Sequence, residues 1–219
     1  MKKYIPILKN TQMFKGLNES EISAMLSCLN ATMKQYKKGE YVLRQGDNLN
    51  YIPILVEGKL HIRNDDFWGR SSILSELNAG DMFGEAYATL GSEVLLHDVV
   101  AIEDSVVIFF DVKRVINTCS SACSFHAVVV QNMFFAISEK NRQLVQKIGH
   151  ISKRTTKEKL ISYLSAEAKR QSSSSFIIPF NRQQLADFLS VDRSAMSNEL
   201  CKMRDAGLIK FNKNKFELL

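Results

Sequence analysis

Between Asp192 and Gly207, placement at about 100° per residue puts Arg193, Ser194, Ser197, Asn198 and Cys201 on one arc. Met196, Leu200 and Met203 fall on a second, narrow arc that must face a core. The first arc offers hydrogen bonds to base edges. Arginine can bind a guanine edge bidentately, and Asn or Ser can meet other edges in a major groove. Asp192 and Lys202 flank the arc, and Lys213 lies just downstream as a phosphate contact. A solvated surface helix would show the same periodicity, so the arc alone leaves both readings open.

Other groups with chemistry are sparse. Cys119 and Cys123, with His126 nearby, would share a helical face and could form a small metal or dithiol site; the alternative is small buried apolar residues. His97 stands alone as a conceivable ligand or haem contact. Cys201, on the polar arc, would interfere with groove binding if oxidised. With Cys28, the four cysteines are too few and scattered for a disulfide scaffold, which agrees with a reducing compartment. The sequence contains no G-x-x-x-x-G-K, G-x-S-x-G or H-E-x-x-H, so no enzymatic activity is expected.

The elements around the arc are marked by their caps. Asn181 and Gln184 have the spacing of a capping box, followed by Leu185, Ala186 and Leu189 on an inner face. Ser190 and Val191 form a turn, Asp192 caps a second helix, and Gly207 suits the left-handed turn that ends it. This is helix-turn-helix spacing. Upstream, Lys157 to Arg170 is amphipathic through Leu160, Ile161, Tyr163 and Leu164, with a loop at Gln171 to Ser175 and a strand at Phe176 to Phe180. Downstream, LIKFNKNKFELL predicts a hairpin with Asn212 to Asn214 at its tip and Lys210, Lys213 and Lys215 beside it. Charge agrees with this division. Residues 140–219 hold 16 Lys and Arg against 7 Asp and Glu, a net of +9, while residues 1–139 hold 13 against 16, a net of −3. A basic surface of this kind attracts a phosphate backbone.

Earlier in the chain, Asn18 and Glu21 have capping-box spacing before Ile22, Met25, Leu26 and Leu29, with Leu17 ahead of them. From about Tyr36 to Asp111 short apolar runs are broken by Gly39, Gly46, Gly58, Gly80 and Gly91, which predicts a β-sandwich or barrel. Its strand candidates are Tyr51 to Val56, Lys59 to Arg63, Ile73 to Leu77, Val94 to Ala101 and Val106 to Phe110. Then Cys123, Ala127, Val130, Phe134, Ile137, Asn141, Leu144, Ile148 and Ile151 recur at steps of four and three. Such a heptad seam suits a helix pairing with its own copy, and Asn141 within it could fix the register.

Lys38 to Ile62, with its G-E, G-D and V-E-G-K-L, and the G-D-M-F-G-E-A of Gly80 to Ala86 resemble the cyclic-nucleotide-binding jelly roll of the CRP/FNR regulators. The C-terminal helix pair resembles the winged helix-turn-helix of the same superfamily. The resemblance covers nearly the whole chain and implies an α+β fold: an N-terminal β-roll (a jelly-roll, or double-stranded β-helix) over 1–122, a long central dimerisation helix over 123–151, and a winged helix-turn-helix over 152–219. It implies a homodimer through Val130, Phe134, Ile137, Asn141, Leu144 and Ile148. Arg193, Ser194 and Asn198 match the family's base-reading positions, with Ser197 between them and Asn198 standing where an Arg is common.

The resemblance also implies an effector pocket around Gly84, Glu85, Leu95, Leu96, His97 and Leu144. There this sequence departs from cyclic-nucleotide binders. Leu95 and Leu96 stand where an arginine and its small neighbour would hold the cyclic phosphate, and no arginine occurs between Arg70 and Arg114. Leu144 and Val145 stand near positions that offer hydroxyls to the base. An unpaired buried phosphate would cost about several kcal/mol, so cyclic AMP is not expected as the effector, whose identity the residues do not give. An iron–sulfur cluster is not expected either, because the N-terminal part offers only Cys28. Expected partners are a palindromic double-stranded DNA operator, a second copy of the chain, an unidentified small molecule and, for such regulators, RNA polymerase. The alternative is a cyclic-nucleotide-binding regulatory module acting through a protein partner. No apolar run approaches the ~20 residues of a membrane span, and MKKYIPILKN lacks a signal-peptide core, which predicts a cytoplasmic location.

Overall fold

The computed structural model describes residues 1–65, 71–117 and 124–219, which form two compact units, Met1–Ile137 and Ser138–Leu219. The division falls inside the central helix, between the boundaries expected at its two ends.

The first unit opens with two helices, α1 (Ile5–Lys9) and α2 (Glu19–Cys28). The Asn18–Glu21 capping box starts α2 as its spacing predicts, with both reciprocal hydrogen bonds made. Seven strands follow: β1 (Thr32–Tyr36), β2 (Tyr41–Leu43), β3 (Tyr51–Glu57), β4 (Lys59–Asp65), β5 (Ser71–Asn78), then, after the short helix α3 (Glu85–Leu90), β6 (Asp98–Ala101) and β7 (Ser105–Asp111). They form two antiparallel sheets, in the orders β1-β7-β3 and β2-β6-β4-β5. The continuous apolar run of β7 is explained by burial on both faces. Val106, Ile108 and Phe110 pack with the helices, while Val107 and Phe109 pack with Leu55, Leu60 and Val99 of the second core. Gly58, at φ +88°, turns β3 into β4, and a Cβ there would collide with the Ser105 hydroxyl and the Asp104 carbonyl.

One expected strand is shorter than its sequence suggests. Of Val94 to Ala101, only Asp98–Ala101 joins the sheet. Leu95 instead exchanges backbone hydrogen bonds with Gly46 and Asp47, at 2.8 and 2.9 Å, outside the sheet.

After α4 (Val112–Ile116) comes α5 (Ser124–Ile151), whose 28 residues run on into the second unit. Its Val129 and Met133 belong to the helical core of the first unit. The Asn132 amide donates to the carbonyls of Met13 and Lys15 at 3.2 and 2.8 Å, which secures this half of the helix.

The second unit adds α6 (Thr156–Gln171), β8 (Ser175–Ile177), α7 (Arg182–Leu189), α8 (Arg193–Asp205), β9 (Ile209–Asn212) and β10 (Lys215–Leu218). The strands form an antiparallel sheet in the order β8-β10-β9. Its core joins Leu160, Leu164, Leu185, Leu200, Ile209 and Phe216, among others. The strand expected at Phe176 to Phe180 stops at Ile177; Pro179 has no N–H to extend the ladder.

Candidate nucleic-acid interface

Two helices and a hairpin build this surface, and their ends are fixed by short-range hydrogen bonds. At the start of α7, Asn181 Oδ1 accepts from the Gln184 N–H and Gln184 Oε1 from the Asn181 N–H, both at 2.9 Å. The helix closes at Ser190, a non-glycine residue in the left-handed region at φ +52°, with the Val191 N–H reaching the Ala186 carbonyl at 3.0 Å. Lys159 of α6 donates to the carbonyls of Leu189 and Ser190, both at 3.2 Å, and so supplies donors where the helix has none left. Lys159 was not singled out by sequence, because its target is backbone at distant positions.

Asp192 caps α8 by accepting from the Ala195 N–H at 2.7 Å. Its carboxylate therefore sets where the helix begins. Met196, Leu200 and Met203 are buried, as their arc predicts, while Arg193, Ser194, Asn198, Cys201 and Lys202 are exposed. Ser197 is half-buried, and its hydroxyl donates to the Arg193 carbonyl at 2.9 Å. Lys202 is 3.9 Å from Glu199 across an exposed turn. Of the polar arc, then, Arg193, Ser194, Asn198 and Cys201 are exposed.

The hairpin β9–β10 places Lys213 at its tip, at φ +51°, with Lys210 and Lys215 also exposed. Arg182, at the start of α7, lies over the rings of Phe211 and Phe216, at 4.8 and 5.1 Å from their centroids. Burial there holds its pKa below the usual arginine value. A cleft of about 710 Å³ is lined by Asn181, Arg182, Gln183, Gln184, Arg193 and Lys213, among others. It joins the positive end of α7 to two cations from α8 and the hairpin, an arrangement that suits a phosphate. The polar N-R-Q-Q run was a sequence signal for more than a cap, because all four of its residues line this cleft.

The residues expected to hold an effector are placed differently. Gly84, at φ +68°, begins α3, and a Cβ there would come within 2.6 Å of Leu49 Cδ2. Glu85 is buried, and Leu95 is turned into the helical core, whereas Leu96 is exposed. His97 is half-buried, with Nδ1 lacking a hydrogen-bond partner among the described residues. Leu144 belongs to the second unit and is exposed.

Along α5, one stripe is buried, comprising His126, Val129, Met133 and Ala136. The heptad positions Val130, Phe134, Ile137, Asn141, Leu144 and Ile148 form the other, and all are exposed, Phe134 to 72%. Cys119 and Cys123 lie outside the described residues. His126 is buried with Nδ1 3.8 Å from Cys28 Sγ. Among the described residues, no group of three or more His, Cys, Asp or Glu is arranged to hold a metal ion.

Comparison with known proteins places two family domains on this frame. Residues 33–122 match the cyclic nucleotide-binding domain, and residues 158–219 match the Crp-like helix-turn-helix domain. Human cGMP-dependent protein kinase 2 is 26% identical over 104 residues, which is 47% of this chain and 13% of the kinase. The match thus spans only a small part of that curated relative. Among solved structures, the catabolite activator protein of Thermus thermophilus has a TM-score of 0.51 at 19% identity, covering 95% of this chain and 94% of that one. The c-di-GMP responsive global regulator CLP of Xanthomonas campestris has a TM-score of 0.56 at 15% identity, covering 92% and 99%. At such identities the likeness is one of fold.

Proposed function

From a chain that joins a cyclic nucleotide-binding domain to a Crp-like helix-turn-helix domain, the architecture of the CRP/FNR regulators, we propose a transcription regulator that reads a palindromic DNA operator as a homodimer. It acts as a regulator rather than an enzyme, and its place is the cytoplasm; no helix among the described residues is long and apolar enough to cross a membrane. The observation that carries the reading is α8 itself. Its apolar arc is buried to 2% exposure or less, and its opposite arc presents Arg193, Ser194 and Asn198 beside a cationic cleft. In the groove, Arg193 binds a purine edge and Asn198 a second base, while Lys213 and the start of α7 meet phosphates. Two copies related by a two-fold axis address half-sites about 34 Å apart.

The effector of the β-roll is a small molecule other than cyclic AMP. Leu95, at the position of the phosphate-binding arginine, is an apolar core residue, and the sequence has no arginine between Arg70 and Arg114. The effector biases the placement of the two reading helices by binding one arrangement more tightly than the other.

Selection of bound sequences from a random duplex pool tests the DNA reading, followed by titration of the selected site with Arg193→Ala. The expected outcome is a two-fold symmetric site and a loss of about 1–3 kcal/mol confined to one base position per half-site. An Arg193→Ala chain with unchanged affinity and base preference would overturn the assignment. Saturable binding of cyclic AMP would overturn the effector reading and leave the DNA reading standing.

A further inference from the structure

The root of α5 holds a thiol and an imidazole that the DNA reading does not use. Cys28 ends α2, carries a thiol, and is half-buried at the edge of the helical core. Its Sγ lies 3.8 Å from Nδ1 of His126, in the first turn of α5. His126 is 1% exposed, and its Nε2 lies 3.0 Å from the carbonyl oxygen of Val115 in α4. A carbonyl can only accept, so Nε2 carries a hydrogen. In the neutral ring this leaves Nδ1 as an acceptor, with its lone pair toward Cys28. A nucleophile, a base within reach, and a third group that orients the base are the parts of an activated-nucleophile arrangement.

We propose that Cys28 is a modification site, a thiol that takes an oxygen atom from hydrogen peroxide or a small organic hydroperoxide with His126 as its base. The Cys28 S–H proton passes to His126 Nδ1, because the thiolate is the attacking form. Sulfur attacks one peroxide oxygen; the S–O bond forms as the O–O bond breaks. The departing oxygen takes the proton from Nδ1 and leaves as water or an alcohol. Sulfur is oxidised by two electrons, the peroxide is reduced by two, and the ring returns to its neutral form. The product is a sulfenic acid, which thiols can reverse. The added oxygen falls where α2, α4 and α5 meet, at the base of the helix that bears the heptad seam.

The test uses the full, reduced chain and reads each cysteine by mass mapping after short exposures to iodoacetamide or, separately, to hydrogen peroxide. At neutral pH the native Cys28 is expected to react about tenfold or more faster than the same residue in the urea-unfolded chain. His126→Asn should remove that advantage and leave the exposed Cys201 rate unchanged, and Cys28 should gain a single oxygen from peroxide. A native rate at or below the unfolded rate overturns the proposal even if His126→Asn fails to fold. A folded His126→Asn chain whose Cys28 reacts as fast as the parent overturns it as well.

Discussion

Helices α5 and α8 are both amphipathic, and each has one stripe of side chains buried, yet their outer faces are opposite in kind. In α8 the large apolar residues Met196, Leu200 and Met203 are all buried, and the outward face is mainly polar, with Arg193, Ser194, Asn198 and Lys202 exposed. In α5 a buried stripe through Val129 and Met133 leaves a second apolar stripe through Phe134, Leu144 and Ile148 facing outward. A helix needs only one apolar stripe to dock on its own domain. The second stripe of α5 is apolar, as the proposed pairing with a second copy requires; the outer face of α8 is polar, as the proposed groove contact requires.

The comparison can be broken most forcefully at the seam. Phe134→Glu combined with Leu144→Glu places charges where a second copy would bury them, and should weaken the proposed dimer by about 3–5 kcal/mol. Sedimentation should then show monomers with unchanged helix content; a dimer of unchanged stability would remove α5 as the pairing helix. On α8, Leu200→Ala should destabilise the second unit by about 2–5 kcal/mol in denaturant titrations. Lys213→Asn removes a charge while keeping a residue tolerant of the left-handed tip. It should weaken all duplexes alike, with a salt slope shallower by about 1 per protomer; a loss selective for one sequence would contradict a phosphate role.

The smallest expected effect concerns pH. Burial holds the pKa of His150 below 6.5, with the nearby Glu167 opposing and Lys153 reinforcing that direction. The folded unit thus binds this proton less readily than the unfolded chain, and stability is lost as pH falls from 6.5 through the folded value. A denaturant midpoint that drops across this window in the parent and less in His150→Gln would confirm the sign.

Much of the reading unit was legible because its signals are local. The Asn181–Gln184 pair, the Asp192 cap and the core arc of α8 each involve residues within a few positions of one another, and the structure makes each contact. Three features were less visible. A heptad repeat does not tell which of two stripes a domain covers, so the docked stripe of α5 emerged only with the β-roll in place. The six residues of α3 lie between Gly84 and Gly91 and are too few to establish a period. Leu95 belongs to a short apolar run, but its partners Gly46 and Asp47 are almost fifty positions away. The capping box of Thr155 and Glu158 was present in the sequence as T-x-x-E, and it sets the start of α6.

Arg182 shows that a count of basic residues overstates the charge a duplex would meet. Its guanidinium lies over the rings of Phe211 and Phe216, and Arg142, Arg170 and Arg204 are paired with Glu139, Glu167 and Asp205. Counterion release follows the cations that replace ions along the polyelectrolyte, not those already neutralised or stacked within the protein. The salt sensitivity of operator binding should accordingly be gentler than the 16 basic residues of 140–219 suggest. By tying the hairpin to α7, Arg182 would make the proposed grip less dependent on ionic attraction and more on shape set in advance of contact.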